Sequence, residues 1–133
     1  MTMRLIPACL LAAGLLLPLA ACQDDDTPKA QCVEATVVGR HCSNSSGSYG
    51  FVLSLSQPNG NAQGWVDSVG NQYSYAVTAL NLPATLRRPG QRVYLLAHQA
   101  TPDEISAAGP RTTQCAAPPP LVTLEVVQST PCN

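Results

Sequence analysis

The chain has 133 residues and is 45% hydrophobic, which leaves room for one small domain beside any leader. Charged residues make up only 11%, well under the roughly 25% of an average domain, so Ser, Thr, Asn, Gln and Pro must supply much of the surface. From Cys32 onward five Arg stand against five acids (Glu34, Asp67, Asp103, Glu104 and Glu125); a nucleic-acid partner would need a basic excess, and none is expected.

The amino terminus reads as a secretory signal: Met1 to Arg4 is short and positive, Leu5 to Leu19 is apolar, and Ala20-Ala21 supplies small residues before a cut. Pro7 and Pro18 interrupt the apolar run, and its 17 residues from Leu5 to Ala21 lie at the short limit for a membrane-spanning helix. Leu19-Ala20-Ala21-Cys22 resembles the lipobox of bacterial lipoproteins. The resemblance implies cleavage before Cys22, a diacylglycerol thioether on its sulfur, and acylation of the new amino terminus. Several chains, each gaining roughly 0.8 kcal/mol per buried methylene, make a stable anchor where one is marginal. Gln23-Asp24-Asp25-Asp26 is similar to the acidic export signal of surface lipoproteins in the Bacteroidetes. It implies an outer-membrane protein facing the cell surface, with the periplasmic face as the alternative. The same run, followed by Thr27-Pro28-Lys29, also reads as a solvated tether. The expected plan is a signal peptide over 1–21, a lipidated tether over 22–31 and a folded domain over 32–133.

Within that domain, alternation of period two predicts strands. The first is Val33 to Arg40, with Val33, Ala35 and Val37 sharing a face; the second is Phe51 to Ser56, with Phe51, Leu53 and Leu55. A short extra strand is expected around Trp65 to Val69. The third is Gln72 to Leu80, with Tyr73, Tyr75, Val77 and Ala79 on one face. The fourth is Arg92 to His98, and the fifth is Leu121 to Gln128 with Val122, Leu124 and Val126 together. Ser43 to Ser48, Pro58-Asn59-Gly60-Asn61 and Arg88-Pro89-Gly90 punctuate them as loops and turns. Thr101-Pro102-Asp103-Glu104 predicts a helix start, with Thr as cap, Pro in the first turn and Glu three after the cap; Gly109-Pro110 ends it after about two turns. Pro118-Pro119-Pro120 is a stiff lead-in to the last strand.

Four cysteines fall in the domain: Cys32, Cys42, Cys115 and Cys132. An even count in a small exported domain reads as two disulfides. No C-x-x-C pair exists and only His41 and His98 could assist, so neither a metal nor a cofactor is expected. Cys32 and Cys42 flank one strand, whose ten extended residues span roughly 33 Å. That disfavours Cys32–Cys42, and with it Cys115–Cys132.

Five short strands suggest an all-β fold, a small antiparallel barrel or sandwich. Asn81-Leu82-Pro83 followed by Pro89-Gly90-Gln91-Arg92-Val93 resembles a segment of OB-type barrels and of small exported Bacteroidetes proteins that carry it. The resemblance implies a five-stranded antiparallel OB-like barrel with one short helix and two disulfides. An immunoglobulin-like sandwich is the alternative, although it offers seven strands. One departure stands out: the OB helix lies between strands three and four, whereas the helix signal here lies between four and five. If the OB order holds, the first and fifth strands run the same way. Cys32 and Cys115 lie at their starts and Cys42 and Cys132 at their finishes, so the resemblance implies Cys32–Cys115 and Cys42–Cys132.

No nucleophile elbow, H-E-x-x-H or phosphate loop is present. His41 reads as a polar residue beside a bridge, and His98 as a solvated or hydrogen-bonded residue on a polar strand face. OB barrels stack ligands on aromatic rings, which makes Trp65 and Tyr94 the ligand-stacking candidates among Trp65, Tyr49, Tyr73, Tyr75 and Tyr94. The bland role for Tyr73 and Tyr75 is core filling. Asp67-Ser68-Val69 resembles a Bacteroidetes O-glycosylation motif. The function expected is a non-enzymatic binding module held at the membrane through lipid on Cys22, with an envelope protein or a glycan as partner. The alternatives are an accessory subunit of an envelope assembly, a carbohydrate-binding module, or an enzyme.

Overall fold

The computed structural model describes residues 32–42, 50–110 and 115–132. The signal peptide, Cys22, the tether, the Ser43 to Ser48 loop and Tyr49 lie outside the described residues. Six strands form: β1 (Val33–Arg40), β2 (Phe51–Leu55), β3 (Gln63–Val66), β4 (Gln72–Ala79), β5 (Arg92–Gln99) and β6 (Leu121–Gln128). One helix, α1 (Pro102–Ala107), joins β5 to β6, and a single 3₁₀ turn at Ala84–Leu86 joins β4 to β5.

Five strands close on themselves in the order β1-β2-β4-β6-β5-β1, and β3 hangs on β4 as a hairpin partner outside the ring. This is the expected OB-like barrel rather than a two-sheet sandwich. The expectation of a wholly antiparallel barrel is corrected in one place: β4 and β6 pair in parallel, Thr78 opposite Leu121 and Ala79 opposite Val122. A closed ring with an odd number of strands cannot alternate direction all the way round, so one parallel seam is unavoidable. The 3₁₀ turn stands where the OB helix belongs, and α1 stands where its sequence signal put it.

The alternation works as expected on β1 and on most of β4. Ala35 and Val37 from β1, Leu53 and Leu55 from β2, and Val77 and Ala79 from β4 meet Val93, Leu95, Val122 and Leu124 in one core, closed by Leu82. Removing water from these branched side chains is the main favourable term, and truncating the fully buried Leu53 would cost about 2–5 kcal/mol. At Gly50, φ is +129° and an added Cβ would overlap the Ala79 carbonyl, so only glycine lets the chain enter β2 there.

Three register slips, on β1 between Val37 and Gly39, along β3–β4, and between β5 and β6, bend the ladder. The β3–β4 slip matters most for the surface. From Gln63 to Trp65 the chain advances two residues while β4 advances three, from Ala76 to Tyr73. The extra β4 residue brings Tyr73 into phase with Ala76, off the face of Val77. Tyr75 packs against the core as expected, whereas the core role read for Tyr73 is overturned.

The disulfides are Cys32–Cys132 and Cys42–Cys115, each with Cα atoms 5.9 Å apart. This overturns Cys32–Cys115 and Cys42–Cys132. β1 and β6 do run the same way, but they are staggered. Leu95 of β5 lies opposite Val33 at the start of β1 and opposite Val127 near the finish of β6. Tyr94 likewise faces Glu34 and Gln128. Strand tilt in a closed barrel imposes such a shear, so the start of one strand is level with the finish of the other.

Candidate functional site

The outer surface of β2 and β4 is covered by the chain itself. Val52 and Thr78 are opposite one another in the ladder, and with Ala76 they are almost wholly buried although they point away from the core cluster. What lies near them is the strap Cys115–Pro120. Pro119 is fully buried. Thr78 N–H donates to the Pro120 carbonyl at 2.8 Å, and its hydroxyl donates to the Pro119 carbonyl at 3.2 Å. His41 Nε2 donates to the Ala116 carbonyl at 3.0 Å, and Trp65 Nε1 reaches the Ala117 carbonyl at 3.4 Å. The Cys42–Cys115 disulfide pins the leading end.

The proline run explains why a strap suits this place. Prolines carry no N–H, so three in a row present carbonyls and almost no donors. A buried carbonyl must be matched, and Thr78 of β4 matches those of Pro119 and Pro120, while His41 and Trp65 reach the Ala116 and Ala117 carbonyls just before the run. The aromatic pair belongs to the same arrangement. Trp65 stacks on Tyr73 at 5.8 Å between ring centroids, and the His41 ring lies 6.3 Å from Trp65, tilted at 52°. Burial holds the His41 imidazole below its ordinary value, with the Ala116 carbonyl working in the opposite sense.

Below Trp65 the β3–β4 turn is organised by one carboxylate. Asp67 accepts from the N–H groups of Val69 and Asn71 at 3.0 and 2.8 Å, from the Asn71 amide at 2.8 Å, and from the Tyr73 hydroxyl at 3.3 Å. Its slight burial opposes ionisation, but the Asn71 bonds and the others outweigh it and lower the carboxyl below its ordinary value. Burial, then the Asp67 charge, raises the Tyr73 phenol. Ser68 is exposed at this turn, and so are Val66 and Val69, at 53% and 80%.

The second cluster lies on β5, β6 and α1. His98 Nδ1 lies 2.9 Å from Glu125 Oε1, and its Nε2 lies 3.0 Å from Glu104 Oε1. Hydrogen bonds to Glu125 and then Glu104 raise the His98 imidazole above its ordinary value. Glu104 completes the α1 capping box: it accepts from Thr101 N–H at 2.8 Å while its own N–H donates to the Thr101 hydroxyl at 3.3 Å. The Thr101 bonds lead in lowering the Glu104 carboxyl from 4.5 to about 2, with His98 adding to them.

Of the two stacking candidates, Trp65 faces the strap beside Cys42–Cys115, while Tyr94 lies between Glu34 and Gln128, near Cys32–Cys132. The fold does not bring them together. His41 sits beside its bridge as read from the sequence, and His98 gains two carboxylate partners that residue order alone did not connect. A partly open pocket where Asn59 and Asn61 meet Leu55, Val77, Leu95 and Val122 has a volume of about 10 Å³, the scale of one water. Among the described residues, no group of three or more His, Cys, Asp or Glu is placed to hold a metal ion, and no helix is long and apolar enough to cross a membrane. No family model, curated protein or solved structure matches the chain.

Proposed function

We propose that this protein is an exported, lipid-anchored interaction module that works by contact, without catalysis, and meets its partner on the outside of the barrel. The observation that carries this reading is the covered face: among the described residues, the strap with its bridge lies over the β2–β4 surface on which OB barrels take ligands. Trp65 and Tyr73 are then anchors for the strap rather than a stacking platform. The β3–β4 hairpin stands off the ring, β3 ends the strand order, and Val66 and Val69 are exposed on it. A partner protein of the envelope fits this hairpin better than a glycan does, because the nearest rings are already stacked on one another. Lipid on Cys22 and a position on the outer face of the outer membrane belong to the same proposal, and the lipobox and acidic tether support them.

The test combines intact-mass analysis of membrane-extracted protein, protease shaving of whole cells, and cross-linking from residue 63, exposed on the same hairpin. Acylated Cys22 as first residue, digestion on intact cells, and cross-links to one envelope protein that vanish in Val66→Asp with Val69→Asp are expected. A product beginning at Met1, or cross-links unchanged by the double variant, would refute it. Stable co-purification in fixed proportion with several envelope proteins would favour the accessory-subunit reading.

A further inference from the structure

We infer that His98 is a proton-operated clasp that docks α1 on the barrel, closed when both ring nitrogens carry hydrogen and opened by loss of one of them. The geometry requires this protonation state to satisfy both contacts. Glu125 faces Nδ1 at 2.9 Å and Glu104 faces Nε2 at 3.0 Å, and a carboxylate only accepts. A neutral imidazole has one N–H, so one carboxylate would meet a ring lone pair at hydrogen-bond distance. Among the described residues, the titratable groups facing the ring are Glu104 from α1 and Glu125 from β6; the charges at the far end of β5, Arg92 and Glu34, pair with each other at 3.6 Å.

The side that yields is also fixed by the fold. Glu125 lies on a strand held to β5, with His98 directly opposite Thr123. α1 is six residues long and fully buries none of them, with only Glu104 and Ile105 half-buried, so polar contacts carry much of its attachment to the barrel, and Glu104 makes the cap, the clasp and a contact with Thr123. When His98 loses a proton, the remaining N–H stays with Glu125 and α1 lets go. α1 and the strap are parts of one β5–β6 connection, so the clasp sets how tightly the first part of that connection lies on the barrel.

The test is amide hydrogen exchange of the full-length chain from pH 6 to 8.5, corrected for intrinsic rates, with the imidazole signals followed in parallel. Ile105 and Ala108, whose N–H groups donate to Thr101 and Glu104, should lose protection by about two- to fivefold, the range of exposed charge pairs. The loss should track a His98 titration above 6.5, while Leu53 in the core stays level. His98→Gln should abolish the pH dependence. A His98 that titrates at or below 6.5, helix protection that stays level, an equal loss at Leu53, or the same loss in His98→Gln would each overturn the inference.

Discussion

Asn81 and Leu124 bond to each other twice. The Asn81 amide donates to the Leu124 carbonyl at 2.9 Å, and the Leu124 N–H donates to Asn81 Oδ1 at 2.8 Å. The pair continues a series: Thr78 N–H takes the Pro120 carbonyl, Leu80 N–H takes the Val122 carbonyl, and the Asn81 side chain then takes Leu124. A side-chain amide thus extends the parallel seam by one rung, where β6 slips register against β5. Asn81→Ala removes both bonds and leaves a strand amide and carbonyl to water. The expected loss is about 1–3 kcal/mol, at roughly 1 kcal/mol per net bond, read as a lower midpoint in urea with an unchanged slope.

The strap gives the second prediction. Trp65 is the single tryptophan of the chain, and its indole lies against Ala117, so its emission comes from one site that the strap covers. Cys42→Ser with Cys115→Ser releases the leading end. Emission should move to longer wavelength while far-ultraviolet dichroism keeps its strand signal. Thr78→Val removes the hydroxyl that holds Pro119 and should cost about 1 kcal/mol. Unchanged emission in the double variant would mean that the bridge does not hold the strap over Trp65.

The sequence reading and the fold agree where information is local. Period-two alternation placed the five barrel strands to within a residue or so, and the Thr101–Glu104 capping box placed α1. The extra strand fell short because Asp67 turns the chain: β3 is Gln63–Val66, starting two residues and ending three residues earlier than expected. What stayed hidden depends on offsets between strands. The β4 bulge turned Tyr73 from core to surface, and the barrel shear exchanged the partners of Cys32 and Cys42. A residue string records alternation but not the stagger of one strand against another. The strap left a trace, since a run of three prolines offers unmatched carbonyls, yet which donors meet them is set by the fold.

The pairing itself is open to measurement. Non-reducing peptide mapping should recover Cys32 linked to Cys132 and Cys42 linked to Cys115. The bridges close sequence separations of 100 and 73 residues, each worth about 4–5 kcal/mol in the chain-entropy model. Cys32→Ser with Cys132→Ser should therefore lower stability by at least as much as the other double variant, although the strap stays pinned and Trp65 emission stays put. That contrast separates a bridge that only ties the chain from one that also holds a surface shut.

pH dependence closes on the two histidines, whose signs oppose. His98 is raised in the folded chain, so its contribution is complete below 6.5 and is lost as pH climbs through its folded value. Glu104 is lowered from 4.5 to about 2, so its contribution is complete above 4.5 and is lost as pH falls toward 2. The clasp therefore contributes most between about 4.5 and 6.5. His41 is lowered, so the fold favours its neutral form and stability declines as pH drops below 6.5 on its account. In the whole protein these two terms partly cancel, and a flat profile would hide both. The stability of the wild type minus that of His98→Gln removes the His41 term. Chemical denaturation across pH 3 to 9 should give a difference that is largest between 4.5 and 6.5 and shrinks on both sides. A difference that instead grows toward pH 9 would mean that His98 is held neutral in the fold, with its two carboxylates satisfied in some other way.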